Sequence, residues 1–295
     1  MTKALGRVYL VGAGPGHPDL LTVRAVRLLR AADVIVYDRL IQEEVLAISK
    51  PTAEKIFVGK YLGKHASRQT EIHELLVRKA KEGRMVIRLK GGDPFLFGRG
   101  GEEAEYLTDH GIDFEVVPGV SSSLSAPLSV GIPVTHRDIS SSVAIVTGHN
   151  STGNHDRVNW QALSQVDTLV ILMGVHNIGH ITQSLMSAGR PSDTPAAMIQ
   201  MAFWPGQRIV VGTLATITEA VRRAGIEAPA TLVIGDVVNM HQKLKQASAD
   251  IVPGWRQSLP AVLPATEPEC ADQVWDRCEQ HDGTVLESVL TKGVS

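Results

Sequence analysis

Apolar and polar positions follow two different periods along the first part of the chain. Short apolar runs predict buried strands at residues 8–11, 34–37, 85–89 and 114–117. Apolar residues three or four apart predict helices near residues 20–30, 70–81 and 101–110. Because strands and helices alternate and the strands are apolar throughout, we predict an α/β fold with a parallel sheet covered on both faces.

A stretch of small residues separates this pattern from a second one. The Pro118-Gly119 turn leads into SSSLSAPLSVGIP, which offers few large side chains for a core, so we predict a domain boundary there. We therefore expect two α/β domains, residues 1–119 and 120–245. Strands in the second are predicted at residues 143–147, 168–173, 208–212 and 231–238, and helices near 178–188 and 214–224.

The last part of the chain has a different character. After about residue 245, prolines and polar residues replace the periodic pattern. We therefore predict a weakly ordered tail over residues 246–295.

Composition and charge exclude several classes of partner. The 295 residues, 43% of them hydrophobic, are enough to bury a sizeable core. A formal net charge of −2 gives no overall field that would attract a polyanion, so we expect no nucleic-acid partner. No apolar run approaches the length of a bilayer span and no apolar signal segment is seen, so we expect a cytoplasmic protein without membrane contact.

Cysteine and histidine positions give no reason to expect a metal ion. Cys270 and Cys278 both lie in the polar C-terminal stretch and are too few to hold a fold together, so we expect free thiols. His136, His149 and His155 share no ligand spacing with an acidic or cysteine partner. We predict that the protein holds no metal.

The first glycine-rich turn, VGAGPGHPDLL, follows the strand at residues 8–11. A dinucleotide-binding fingerprint needs glycine at three set places; Gly12 and Gly14 fit, but the third place is His17. Pro15 also lacks the amide that a phosphate would need. Taken alone, this turn would be a tight connection without a ligand.

The second glycine-rich stretch, RLKGGDPFLFGRGGEE at residues 88–103, is more informative. It places five glycines around Asp93, Arg99 and two glutamates. Glycine lets a ligand approach the backbone closely, because no Cβ intervenes. The stretch therefore predicts a binding loop.

Six motifs in this order and spacing resemble those of the uroporphyrinogen-III C-methyltransferases, which belong to the S-adenosylmethionine-dependent tetrapyrrole methylases. The resemblance covers about residues 5–240. The motifs are VYLVGAGPGHPDLLT, ADVIVYDRLI, VGKYLGKHASRQTEIHELL, VIRLKGGDPFLFGRGGEE, EVVPGVSSS and GIPVTHRD.

The resemblance implies both an activity and an architecture. The implied reaction is methylation of uroporphyrinogen III at C2 and C7, through precorrin-1 to precorrin-2, for sirohaem, cobalamin or haem d1 synthesis. S-adenosylmethionine is the implied methyl donor, without a metal. The implied fold is two α/β domains of the tetrapyrrole methylase type, with the active site in the cleft between them, in a homodimer.

The resemblance also implies which residues hold the donor. A sulfonium carries positive charge beside apolar arms, so its site should offer carbonyl oxygens and close backbone. Methionine fills gaps in most protein cores, so Met173 alone would be interpreted as core packing. The implied donor-binding residues are Pro15, Gly91, Gly92, Asp93, Leu96, Ser121, Ser122, Met173 and Ala202.

The implied catalytic residues are Asp38, Lys60 and Arg99. Methyl transfer needs alignment and exclusion of water, whereas proton loss from the tetrapyrrole needs a base. Arginine is a poor base because its pKa exceeds about 12, so Asp38 is the easier base on chemical grounds and Arg99 is favoured as an electrostatic anchor. The choice between Asp38 and Arg99 as the base stays open.

The substrate bears eight carboxylates, so cations must be concentrated in the site. By motif position we expect Arg99, Glu102 and Arg137 to bind it. Glu102 could orient the Arg99 guanidinium or accept a pyrrole N–H. For Glu103 we expect no more than a preference for the start of a helix.

The loop at residues 203–205 departs from the family pattern, and two alternative functions stay open. Phe203, Trp204 and Pro205 replace residues that are usually small and polar, so we expect a different adenine pocket. The rivals are a related precorrin methyltransferase of cobalamin synthesis and a tetrapyrrole-binding module without catalysis.

Overall fold

The computed structural model describes residues 4–59, 66–149 and 158–244, with only the backbone for residues 66–68. Both sheets described below lie in one compact unit, Met1–Ser248. The predicted tail, with Cys270 and Cys278, lies outside the described residues. In the described ranges, no helix is long and apolar enough to cross a membrane.

The first half of the chain forms a five-stranded sheet with the order β3-β2-β4-β1-β5. All of its strand pairs are parallel, as predicted. The strands are β1 (Arg7–Gly12), β2 (Val34–Tyr37), β3 (Glu54–Phe57), β4 (Met85–Lys90) and β5 (Phe114–Val117), and the helices are α1 (Val23–Ala31), α2 (Glu43–Leu46), α3 (Ala66–Lys81) and α4 (Gly100–Asp109).

Helices cover both faces of this sheet, which explains the unbroken apolar runs. Val11, Ile35 and Ile87 face α1 and α2, whereas Leu10 and Val36 face α3 and α4. Successive side chains on a strand point to opposite faces, so both faces must be apolar. In such a sheet, ligands bind beyond the carboxyl ends of the strands.

The turn after β1 does not lead directly into a helix, which corrects one predicted boundary. Pro18–Leu20 forms a short 3-10 turn, whose preceding residue His17 accepts a hydrogen bond from the Asp19 amide. The helix predicted from residue 20 begins at Val23, because the Thr22 hydroxyl caps it by accepting from the Ala25 amide at 3.1 Å.

The second half forms a mixed five-stranded sheet with the order β6-β7-β10-β8-β9. Among its strand pairs in the described part of the chain, only β6 and β7 are parallel. The two sheets with their helices confirm the predicted α/β class. The strands are β6 (Val143–Thr147), β7 (Thr168–Leu172), β8 (Pro195–Gln200), β9 (Arg208–Thr213) and β10 (Ala230–Ile234), and the helices are α5 (Ser122–Leu128), α6 (Trp160–Leu163), α7 (Ile178–Ser187) and α8 (Ile217–Arg223).

The small-residue stretch after Gly119 contributes more to the core than predicted. Residues 122–128 form α5, and Ala126, Val130 and Ile132 pack with Val233 of the second sheet. The expectation that this stretch adds little core was wrong, because small side chains let the helix lie close to the sheet.

Candidate active site

The carboxyl ends of β1, β4 and β5 meet through bare backbone. Gly14 and Gly92 exchange two backbone hydrogen bonds, from the Gly14 amide at 3.2 Å and from the Gly92 amide at 2.7 Å. A Cβ added at Gly12 would lie 2.5 Å from the Gly119 nitrogen, and one at Gly119 would lie 2.2 Å from the Gly92 oxygen. These four residues, Gly12, Gly14, Gly92 and Gly119, form what we call the glycine cluster.

Asp93 connects two of the loops at this edge. Its Oδ2 accepts from the Gly119 amide at 3.1 Å and its Oδ1 accepts from the Phe95 amide at 2.9 Å. Ser121 and Ser122 lie beside Gly92, with backbone atoms within 4 Å of where its Cβ would be. The structure thus brings Pro15, Gly91–Asp93, Ser121 and Ser122 together, while Leu96 follows in the same loop as Asp93.

The second sheet contributes the loop between β8 and β9, residues 201–207. This loop contains Ala202, and its Trp204 indole Nε1 donates to the Pro15 carbonyl at 2.9 Å. Met173 follows directly after β7 and is 49% exposed, so the simple core-packing interpretation of this methionine does not hold.

Backbone strain is concentrated in the loops that carry predicted site residues. Among the described residues, positive φ angles at non-glycine positions occur at Phe97, Arg99, Met173, Met201 and Phe203. Each such conformation costs about 1–3 kcal/mol and persists only where the surrounding structure enforces it. Strain of this kind is typical of functional sites.

Arg99 and Glu102 form an exposed ion pair at the start of α4. Arg99 has a φ of 62°, and its Nε donates to Glu102 Oε2 at 2.7 Å. Both side chains are 51% exposed. Glu102 therefore orients the Arg99 guanidinium, which was one of the two roles expected for it.

A second, buried ion cluster is formed around the next residue, Glu103. Glu103 Oε1 accepts from Arg88 Nε at 3.1 Å, and both of its oxygens lie 2.9 Å from Lys90 Nζ. Burial, together with the charge of Arg88, lowers the pKa of the Lys90 ammonium, although Glu103 acts in the opposite direction. We call Arg88, Lys90 and Glu103 the buried cluster.

Asp38 lies at the edge of this cluster, just after β2. Its Oδ1 accepts from the Leu40 amide at 3.0 Å, and its Oδ2 lies 3.7 Å from an Arg88 terminal nitrogen. The carboxylate is 28% exposed. A fixed carboxylate with one open side and a guanidinium behind it can accept a proton from a bound molecule.

For the remaining predicted site residues, the structure gives little or no information about contacts with the site. Lys60 and His155 lie outside the described residues. Arg137 lies in an exposed turn that is closed by backbone pairing between His136 and Ser140. Its part in substrate binding stays a prediction. Within the described ranges, no group of three His, Cys, Asp or Glu residues could hold a metal ion.

The buried cluster was not predicted from the sequence, and the role of Glu103 is larger than expected. This glutamate does lie in the first turn of α4, but its side chain is fully buried between two cations. A signal was present, because Arg88 lies in the strand predicted at residues 85–89 to be buried on both faces, and Lys90 follows it two residues later. Two cations on one buried face require a carboxylate partner.

Comparison with known proteins places this geometry in a family. The family model "Tetrapyrrole (Corrin/Porphyrin) Methylases" matches residues 7–218. The chain is 50% identical over 246 residues to the S-adenosyl-L-methionine-dependent uroporphyrinogen III methyltransferase of Methanosarcina barkeri, covering 83% of this chain and 96% of that protein.

A longer relative and a solved structure agree with this match. The siroheme synthase of Thiobacillus denitrificans is 49% identical over 242 residues, which is 82% of this chain but only 50% of that protein, so this chain spans about half of its length. The crystal structure of the Thermus thermophilus uroporphyrin-III C-methyl transferase complexed with S-adenyl homocysteine superposes with a TM-score of 0.70 and 44% identity, covering 79% of this chain and 99% of that one. The resemblance found in the sequence is thereby confirmed, and the chain belongs to the tetrapyrrole (corrin/porphyrin) methylase family.

Proposed function

We propose that this chain is a uroporphyrinogen-III C-methyltransferase that uses S-adenosylmethionine as the methyl donor. It methylates uroporphyrinogen III at C2 and C7, giving precorrin-2 through precorrin-1. The observation that carries this proposal is the backbone pairing of Gly14 with Gly92, which joins the two predicted donor-binding turns. The relative from Methanosarcina barkeri, matched over nearly its whole length, supports the choice of substrate.

The glycine cluster fits a cationic donor that must lie against backbone. Gly12 and Gly119 let the strand ends touch, because a Cβ on either would overlap backbone atoms. The space beside Gly92 is open, since the Ser122 nitrogen lies 3.8 Å from where its Cβ would be. When bound, S-adenosylmethionine supplies a methyl group on a sulfonium, which favours nearby carbonyl oxygens. We assign donor binding to Pro15, Gly91, Gly92, Asp93, Leu96, Ser121, Ser122, Met173 and Ala202.

The charges near this edge are arranged so that the site is not strongly cationic. Arg88 and Lys90 are both paired with the buried carboxylate of Glu103, and Asp38 adds a second negative charge near Arg88. The buried positive charge is therefore balanced, which removes a repulsion that would oppose a sulfonium.

Asp38 is the better candidate for the base that removes a proton from the methylated ring. Its carboxylate is held by the Leu40 amide and by Arg88, yet part of it stays open to a ligand. Arg99 is bonded to Glu102, and an arginine side chain keeps its proton in proteins, so it is a poor base. We therefore assign proton removal to Asp38; Lys60, in the same predicted set, lies outside the described residues.

Arg99 is assigned to substrate binding. Its exposed guanidinium presents a rigid fork that suits a carboxylate of the tetrapyrrole. Glu102 holds that fork before the substrate binds, and Arg137 supplies a further cation. The tetrapyrrole carboxylates can replace Glu102 as partners of Arg99 at little cost, because an exposed ion pair contributes only about 0–1 kcal/mol.

The two-domain organisation is proposed with a boundary near residues 119 and 120. The first sheet ends with β5, and α5 already belongs to the core of the second sheet. A homodimer is also proposed, since Leu124 and Leu128 on α5 leave exposed apolar surface that a second copy would cover. The protein is expected to act in the cytoplasm.

The deciding experiment counts methyl groups on the product. The purified chain is incubated anaerobically with uroporphyrinogen III and S-adenosylmethionine, and the product is analysed by mass spectrometry. Addition of two methyl groups supports the proposal. Methylation of a later precorrin but not of uroporphyrinogen III would favour the precorrin methyltransferase alternative, and tight binding of both ligands without product would favour a non-catalytic module.

A further inference from the structure

The loop between β8 and β9 is held in one shape by its own hydrogen bonds. The Trp204 amide donates to the Met201 carbonyl at 2.9 Å, and the Gln207 amide donates to the Trp204 carbonyl at 3.2 Å. The Gln207 side chain accepts from the Phe203 amide at 2.8 Å and donates to the Ser129 carbonyl at 3.3 Å. The loop is therefore fixed both internally and to the chain that follows α5.

Two residues of this loop adopt a backbone conformation that ordinary side chains disfavour. Met201 has a φ of 52° and Phe203 has a φ of 62°. Neither is glycine, so the conformation is maintained by the surrounding bonds at a cost of about 1–3 kcal/mol each. The result of this strained shape is the position of Trp204.

The Trp204 indole reaches the turn that follows β1. Its Nε1 donates to the Pro15 carbonyl at 2.9 Å, across 189 residues of sequence. A Cβ added at Gly16, where φ is 136°, would lie 2.3 Å from that same Nε1 and 2.6 Å from the Gln42 side-chain nitrogen. The indole thus lies directly on the Gly16 backbone, and only glycine fits between these two side chains.

We infer that Trp204 is a positioning residue for the methyl donor. This inference rests on the proposed function, in which Pro15 on the first half and Ala202 on the second both contact S-adenosylmethionine. The bond from Trp204 joins the Pro15 turn to the loop that carries Ala202, and so it fixes the separation of the two walls. Preorganised walls lower the ordering cost of binding, which improves donor affinity without touching the reacting atoms.

A purely structural role for Trp204 makes a different prediction. Loss of a stabilising bond would lower the melting temperature and would affect donor and tetrapyrrole equally. A positioning role raises the KM for the donor alone and leaves kcat nearly unchanged. The ratio of the two KM values therefore separates the two roles.

The test compares Trp204→Phe with Trp160→Phe. The first variant keeps a ring at position 204 but removes its N–H; the second changes a buried tryptophan in the core of the second sheet. We expect Trp204→Phe to raise the KM for S-adenosylmethionine, and the Kd for S-adenosylhomocysteine by calorimetry, about 2- to 10-fold, which is the range for one lost hydrogen bond. The KM for uroporphyrinogen III should stay nearly constant, and Trp160→Phe should lower only the melting temperature.

Gly16→Ala tests the same contact from the other side, because the new methyl group would displace the indole. We expect it to raise the donor KM at least as much as Trp204→Phe does. An unchanged donor KM in Trp204→Phe, or an equal rise in both KM values, would overturn the inference while leaving the proposed function intact. A parent protein that neither binds S-adenosylhomocysteine nor forms methylated product would overturn both.

Discussion

Glu102 and Glu103 are neighbours in the first turn of α4, yet they occupy opposite environments. The Glu103 side chain is fully buried and bonded to Arg88 and Lys90, whereas Glu102 is half exposed and bonded to Arg99. Successive residues of a helix point about 100° apart, so one faces the sheet and the other faces the open edge. Of these neighbouring carboxylates, one stabilises the scaffold, and the other is available for the substrate-binding role proposed above.

The physical difference lies in the cost of removing each charge from water. A buried ion pair carries a large desolvation cost and is stable only while every charge stays balanced. An exposed pair contributes about 0–1 kcal/mol, so its members are free to change partners. The buried cluster is therefore sensitive to any change of charge, and the Arg99–Glu102 pair is not.

The strongest test of this contrast compares the stability of Glu103→Gln with that of Glu102→Gln. Removal of the Glu103 charge leaves Arg88 and Lys90 with only the Asp38 carboxylate, 3.7 Å from Arg88, so we expect the free energy of unfolding to fall by about 3–5 kcal/mol. The same change at Glu102 should cost less than about 1 kcal/mol. Urea unfolding followed by circular dichroism measures the free energy of unfolding of both variants. An equal decrease in the two variants would contradict the contrast between the buried and the exposed pair.

Arg99→Lys tests the exposed side of the comparison. Lysine keeps the charge but loses the two-pronged contact, and hydrogen bonds to charged groups contribute about 1.5–3 kcal/mol, so we expect turnover to fall about 10- to 100-fold. Steady-state kinetics gives the turnover, and calorimetry with S-adenosylhomocysteine should give an unchanged Kd.

A matched control for that variant is available on α8. Arg222 forms the same kind of exposed pair with Glu219, with its Nε donating to Oε2 at 2.7 Å. Arg222→Lys should leave turnover at the parent level. Near-normal turnover in Arg99→Lys would remove Arg99 from the site.

Asp93→Ala tests a carboxylate that both connects two loops of the scaffold and belongs to the proposed donor site. Loss of its bonds to the Gly119 and Phe95 amides should loosen the glycine cluster and weaken donor binding about tenfold, which corresponds to roughly 1.4 kcal/mol. The KM for uroporphyrinogen III should change less. Asp167→Ala is the control, because Asp167 also accepts from two backbone amides, those of Ser141 and Ser142. Equal S-adenosylhomocysteine affinity in Asp93→Ala and the parent would exclude this role.

The smallest expected effect concerns pH. The pKa of Lys90 is lowered in the native protein, so the unfolded chain binds this proton more tightly. Between the lowered pKa and the unfolded value of 10.5, stability must therefore increase with pH. Lys90→Met, which keeps the Arg88–Glu103 ion pair, should lose this increase.

Urea unfolding at a series of pH values from neutral upward measures the difference between parent and variant. Lys55→Gln, a change at an exposed position of β3, serves as the control and should follow the parent curve. A parent curve that runs parallel to that of Lys90→Met would show that the buried ammonium does not titrate below its usual range.

The parallel sheet could be predicted from the sequence, whereas parts of the mixed sheet could not. Strands buried on both faces are apolar throughout, and this signal located four strands of the first sheet. The missed strand β8 contains Ala196 and Ala197, whose low strand preference is outweighed by complete burial between β10 and β9. The other missed strand, β3, is a polar edge strand.

For the site, the sequence indicated the residue types but not their pairing. The order of motifs indicated the glycine turns, the Arg99–Glu102 pair and the family. The buried cluster joins Glu103 to Arg88 and Lys90 from an adjoining strand, and the bond from Trp204 to Pro15 joins opposite halves of the chain. Contacts of this kind depend on how the sheets and loops pack, which local patterns do not specify.

The glycine cluster also limits how this protein could be redesigned. At Gly12 and Gly119 an added side chain would overlap neighbouring main-chain atoms. Gly14 and Gly92 have φ angles of 69° and 68°, which disfavour any residue other than glycine. On the proposed assignment of the donor site, an engineer who wishes to transfer an ethyl or allyl group must therefore make room around Met173 and the loop that carries Ala202. Libraries directed at those positions can vary the shape of the pocket, whereas libraries directed at the glycines would mostly yield misfolded chains.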